Sequence, residues 1–170
     1  MERLRYSVWQ SPIGPLTMVA SERGLLKLEF GERRPLTKAN IECAEDEACF
    51  DLHRRQLQEY FAGERREFDC LLDLRGTDFQ LRCWRALLKI PYGETRTYAE
   101  QARVVGQPQA FRAVGMANGD NPIAIVVPCH RVINTGGKLG GYGGGLDLKR
   151  RLLDLESGQA ALLQRCARSA

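Results

Sequence analysis

Ile125-Val126-Val127-Pro128-Cys129-His130-Arg131-Val132-Ile133 is where this chain changes character. The run Ile123 to Val127 is apolar and mostly β-branched, which predicts a buried strand. Pro128 fixes φ and removes a backbone donor, so the strand is expected to end there in a rigid turn. That turn presents a thiol beside an imidazole and a guanidinium. A thiol attacks poorly until it loses its proton, and a neighbouring histidine or arginine favours the thiolate. Taken alone, Cys129-His130 fits either a reactive thiol or a buried cysteine beside a satisfied histidine, and the second is the commoner case.

Downstream, Gly136 to Gly145 holds seven glycines, with Lys138, Leu139 and Tyr142 between them. Phosphate-loop readings fail, because no Gly-Lys is followed by Ser or Thr and no register gives G-x-G-x-x-G. A flexible loop or the wall of a snug pocket remains. A helix is predicted from about Asp147 to Glu156 with Leu148, Leu152 and Leu155 inward, and Lys149-Arg150-Arg151 reads as a solvated face. Ser157 to Ala170 carries no clear signal.

Upstream the pattern is helical. Thr77-Asp78-Phe79-Gln80 and Thr97-Tyr98-Ala99-Glu100 both fit capping boxes. The first opens a helix whose stripe is Phe79, Cys83, Leu87 and Ile90, so Cys83 reads as core. The second opens a short helix to about Val105, followed by Gly106-Gln107-Pro108 and a helix from about Gln109 to Asn118. Two short helices around a tight glycine turn fit a helix-turn-helix, and equally an ordinary helical corner.

Further out, Tyr6–Trp9, Leu16–Ala20 and Leu25–Phe30 predict an antiparallel meander. Phe50, Leu57, Tyr60 and Phe61 share one face of a helix from about Glu45 to Phe61. The fold class is therefore α+β, divided into residues 1–76, a small antiparallel-sheet module, and residues 77–170, mostly helical with the helix-turn-helix.

With 170 residues, 44% hydrophobic and 27% charged, the chain has a globular composition, which excludes wholesale disorder. No run approaches a membrane span and no secretory leader is visible, so no membrane partner and a cytoplasmic location are expected. Six cysteines include no C-x-x-C pair, and only His53 and His130 could join them, so no metal and no cofactor is expected. The net charge of +4 is uneven: residues 1–77 carry 12 basic and 14 acidic groups, residues 78–170 carry 13 and 7. The basic half suits a polyanion without demanding one.

The series around Cys129 resembles the O6-alkylguanine-DNA alkyltransferases, or methylated-DNA–protein-cysteine methyltransferases. The resemblance runs in order through Tyr92-Gly93-Glu94, Tyr98, Arg112-Ala113-Val114-Gly115, Asn118-Gly119, Asn121-Pro122, Ile125 to Ile133 and Tyr142-Gly143-Gly144-Gly145 to Glu156. Ser11-Pro12-Ile13-Gly14-Pro15-Leu16 and Tyr60-Phe61-Ala62-Gly63 extend it loosely into the first half. It implies a ribonuclease-H-like N-terminal module without nuclease chemistry. It also implies direct, irreversible transfer of an alkyl group from O6 of guanine, less readily from O4 of thymine, to the protein's own cysteine.

The same resemblance assigns roles. Cys129 is the acceptor, His130 its base through a water, and Glu156 the group that orients the histidine, the logic of hydrolase triads. Asn121 braces the turn, and Tyr98 contacts N3 of the flipped base. Backbone N–H groups of Cys129 and Gly143 lie near the base edge, with Tyr142 and Leu139 beside the substrate. Arg112 fills the vacated stack from the minor-groove side, with Ala113, Gly115 and Phe111 on the same DNA-binding helix. Phe111 departs from the small residue usual there, and acts as a wedge or packs inward. Gly143 stands where several relatives carry a small hydroxyl residue. The partner implied is double-stranded DNA containing O6-alkylguanine, bound by a monomer, with cooperative assembly on DNA left open. A damage-binding relative that cannot react would lack the acceptor cysteine, which is present. A cysteine hydrolase or a plain helix-turn-helix regulator would not need Arg112, Asn121, the Pro128–Arg131 turn and Glu156 together.

Overall fold

The computed structural model describes residues 1–35 and 40–159. Residues 36–39 of the polar stretch, and residues 160–170 of the tail, lie outside the described residues. The chain divides into two compact units, Met1–Leu74 and one that begins at Arg75.

In the first unit, β1 (Glu2–Ser11), β2 (Gly14–Ser21) and β3 (Gly24–Phe30) form the expected meander. A strand absent from the sequence reading, β4 (Ile41–Glu45), pairs parallel with β1, and the order is β3-β2-β1-β4. The sheet is therefore mixed rather than antiparallel. Ile41-Glu42-Cys43-Ala44-Glu45 is short and lies on an edge, so its half-exposed pattern carries little hydrophobic signal. Helix α1 (Asp51–Phe61) starts later than expected, after a 3₁₀ turn over Ala48–Phe50. Its buried Leu57, Tyr60 and Phe61 join Phe50, Leu16, Met18 and Leu28 in the core.

The second unit contains α2 (Asp78–Leu87), β5 (Arg96–Thr97), α3 (Tyr98–Val104), α4 (Phe111–Gly119), β6 (Val132–Ile133) and α5 (Leu146–Glu156). Both capping boxes form: Thr77 accepts from the Gln80 N–H and Thr97 from the Glu100 N–H, and each partner side chain accepts in return. Thr97 thereby starts α3 at Tyr98, which sets where that ring stands. Cys83, Ala102, Val114 and Ala117 make the core among α2, α3 and α4. Gln101 of α3 and Asn118 of α4 exchange two buried amide hydrogen bonds, at 3.0 and 2.8 Å. These bonds tie the helix pair together across a connection of six residues, Val105–Ala110, longer than the expected tight turn.

Ile123 to Val127 is not a strand. The five residues are buried, but they coil into successive turns, with Val127 N–H donating to the Ile123 carbonyl at 3.0 Å. Ile125 adopts φ +69°, the sole non-glycine residue of positive φ among the described ones. Such a conformation is strained for a β-branched side chain. The strand that does form here, β6, begins after Arg131 and pairs parallel with β5. A short apolar run states that it is buried and leaves its conformation to tertiary partners.

Candidate active site

Pro128 is the centre of a tight turn, φ −83° and ψ 65°, closed by the Cys129 N–H donating to the Val127 carbonyl at 2.9 Å. Cys129, His130 and Arg131 then form one 3₁₀ turn. The turn is braced from outside by Asn121. Its Nδ2 donates to the Val127 carbonyl at 2.8 Å and to Cys129 Sγ at 3.2 Å, and its Oδ1 accepts from the Ile123 N–H at 3.0 Å. One side chain thus holds both ends of the strained segment and the sulfur itself.

Behind the sulfur, three charged or polar groups are shut from solvent. His130 Nε2 lies 2.7 Å from Glu156 Oε1, on α5. Arg131 grips the same carboxylate with Nε to Oε2 at 2.8 Å and Nη2 to Oε1 at 2.9 Å, and gives Nη1 to the Ile90 carbonyl at 2.7 Å. The Gly93 N–H adds a 3.3 Å bond to Oε2. Burial pushes the Glu156 carboxyl up, but the hydrogen bonds and charges of His130 and Arg131 outweigh it and hold the group at about 2. Burial pushes His130 down, so the ring is neutral near pH 7. An ionised carboxylate only accepts, so Nε2 carries the hydrogen and Nδ1 is the basic atom.

The thiol differs from the sequence expectation. Burial raises Cys129, while the Asn121 bond, the Lys149 charge and its own backbone N–H pull it down. Arg131 is turned to Glu156 and His130 is neutral, so neither supplies the positive charge that adjacency in sequence promised. Deprotonation must therefore accompany the reaction, with an acceptor at hand.

Cys129 lies on the wall of a cavity of about 800 Å³, together with Tyr98, Phe111, Arg112, Gly115 and the glycine-rich segment Gly140 to Gly143. Burial, then the nearness of Cys129, raises Tyr98, keeping its hydroxyl protonated and able to donate. Gly115 and Gly140 stand on either side of its ring: a Cβ at Gly115 would lie 3.7 Å from Cε1, and one at Gly140 3.1 Å from Oη. Tyr142 meets the His130 ring edge-on at 6.4 Å.

The cavity gathers most of the expected residues. Cys129, Tyr98, Phe111, Arg112, Gly115, Tyr142 and Gly143 line it, and Asn121, His130 and Glu156 are linked to it from behind. Ala113 is exposed on α4, outside the cavity wall. Two expectations change. Leu139 does not line the cavity, and its carbonyl accepts from Lys149. The Cys129 N–H, expected near the base, is donated to Val127 because the turn closes on itself.

Two residues were missed. Adjacency in sequence makes Arg131 a neighbour of the thiol, whereas in the structure it is the clamp on Glu156. The charge run predicts a solvated Lys149, whereas it is fully buried, donating to the carbonyls of Val132 at 2.6 Å, Leu139, and Gly141 at 3.2 Å. Its place between Leu148 and Leu152 on an inward-facing helix was the signal available in sequence.

Residues 78–158 match the family described as 6-O-methylguanine DNA methyltransferase, DNA binding domain, and residues 4–74 match its ribonuclease-like domain. A methylated-DNA–protein-cysteine methyltransferase of Mycobacterium bovis is 54% identical over 157 residues, 92% of this chain and 94% of the relative. One of Methanosarcina acetivorans is 50% identical over 151 residues, covering 89% and 97%. The crystal structure of Mycobacterium tuberculosis OGT in complex with DNA superposes with a TM-score of 0.85 at 52% identity, covering 97% of this chain and 99% of that one. Matched along both units, this chain belongs to the 6-O-methylguanine DNA methyltransferase family, the methylated-DNA–protein-cysteine methyltransferases.

Proposed function

We propose that this protein repairs double-stranded DNA by moving the alkyl group of O6-alkylguanine, and less readily of O4-alkylthymine, onto Cys129, one molecule per lesion. Family membership supports alkyl transfer from DNA to a protein cysteine. The observation that carries the choice among the described cysteines is the cavity: Cys129 is on its wall, Cys83 is sealed in a helical core, and Cys43, Cys49 and Cys70 belong to the other unit.

A base inside a duplex is out of reach and is extruded at a cost of a few kcal/mol. Arg112, exposed at the cavity rim, takes its place in the stack, and α4 enters from the minor groove. Phe111 is 45% exposed at the same rim, which favours a wedge over inward packing. The Tyr98 hydroxyl donates to N3 of the everted base. The Cys129 proton passes through a water to Nδ1 of His130, and Glu156 stabilises the resulting imidazolium. The sulfur attacks the alkyl carbon, the S–C bond forms as the C–O6 bond breaks, and the electron pair stays with guanine, which takes up one proton and leaves. An alkyl thioether is neither hydrolysed nor reduced under cellular conditions, so the protein is consumed.

The excess of basic groups in residues 78–170 supports a polyanionic partner; binding as a monomer and a cytoplasmic location belong to the same proposal. Among the described residues no helix is long and apolar enough to cross a membrane. The test is mass spectrometry after incubation with an oligonucleotide duplex containing O6-methylguanine. One methyl group on the Cys129 peptide, in stoichiometric yield, is expected; repeated turnover, or methyl on another cysteine, overturns the reading.

A further inference from the structure

Lys149 has no exposed surface, and all three of its hydrogen bonds go to backbone carbonyls. Burying an ammonium without a carboxylate is costly, and its helical neighbours Leu148 and Leu152 are apolar, so a leucine would serve packing at lower cost. The three acceptors indicate what the cation is used for. Val132 belongs to β6, which leads out of the Cys129 turn. Leu139 and Gly141 flank Gly140, whose backbone lies against Tyr98.

Gly140 has φ +71°, and a Cβ there would press on both Oη and Cε2 of Tyr98, at 3.1 and 3.2 Å. The chain can approach the ring this closely only as glycine, and glycine by itself leaves the segment loose. One ammonium, with three donors in a tetrahedral spread, ties the carbonyls on both sides of that glycine to β6. The same nitrogen lies 5.9 Å from the centroid of the Tyr98 ring.

We propose that Lys149 is a positioning residue that holds the Gly140 segment against Tyr98, and so fixes where these two adjoining parts of the cavity wall stand around the purine it receives. The inference rests on the cavity being the base-binding site. Lys149 does not touch the base. It determines whether the wall stands where a flat ring fits.

The experiment compares two reagents on Cys129, read by mass spectrometry of its peptide. Free O6-benzylguanine requires the slot, whereas iodoacetamide reports only how available the thiolate is. In Lys149→Met, benzyl transfer is expected to fall about tenfold further than carbamidomethylation. Lys149→Gln, which keeps an amide donor, should show a smaller excess loss, and it replaces the methionine variant if that fails to fold by circular dichroism. Equal losses on both reagents, or no loss on either, overturn the proposal. A wild-type protein that takes no benzyl group on Cys129 overturns the base-binding reading instead, so the two failures are distinct.

Discussion

His130 and Glu156 are joined at 2.7 Å in a site closed to solvent, although 25 other residues of chain separate them. The contact decides which nitrogen of the ring is basic, and it places a full negative charge behind a neutral imidazole. Arg131 balances that charge, so the carboxylate is held by two partners at once.

Replacing the carboxylate tests this balance. Glu156→Gln leaves the Arg131 guanidinium buried without its counter-charge, which is expected to destabilise the fold by about 3–5 kcal/mol. Denaturant unfolding followed by fluorescence measures it. The residual folded protein should also transfer alkyl groups more slowly, because the amide no longer stabilises an imidazolium.

Acid stability follows from the same group. Glu156 sits at about 2 in the folded protein, below its ordinary 4.5, so the unfolded chain binds the proton more readily. Its contribution is complete above about 4.5 and is lost as pH falls toward 2. Urea midpoints across this range should drop in the wild type and drop less in Glu156→Gln.

Asn121 braces the strained turn and donates to the sulfur, so Asn121→Ala acts on both. Losing three hydrogen bonds around a segment that contains Ile125 at φ +69° is expected to cost about 2–3 kcal/mol. The thiol loses one of the groups that pull it down, so the pH midpoint of Cys129 alkylation by iodoacetamide should move up. An unchanged midpoint would show that the amide braces backbone alone.

Arg112 lies at the rim and makes no contact with the sulfur's supporting groups, so Arg112→Ala should separate DNA engagement from chemistry. Repair in duplex is expected to fall at least about tenfold, while reaction with free O6-benzylguanine stays within about twofold. Equal losses would remove the stack-filling role. Wild-type binding to duplex should weaken as salt rises, since phosphate contacts release counterions.

Much of the fold was legible because it is local. A capping box is complete within four residues, so Thr77 with Gln80 and Thr97 with Glu100 could be read without partners. The inward stripe Leu148, Leu152 and Leu155 needs only the helical period. Strand β4 was not legible, since each of its residues pairs with one of β1 that lies 39 positions earlier and an edge strand buries too little to show a pattern. For the site, the motif around Cys129 and the family resemblance named most of the residues, while the cation serving each position was misread.

The amino-acid sequence alone determined the α+β class, the starts of α2 and α3 and the thiol–imidazole–guanidinium order at 129–131, because these depend on neighbours within a turn or two. Only the tertiary structure decided that Ile123–Val127 is a strained turn, that Arg131 serves Glu156, and that Lys149 is buried beneath the cavity wall. Each of those depends on where a charge or an apolar run finds its partner. A chain records that a group needs a partner, but distance in space, not in sequence, selects which one it meets.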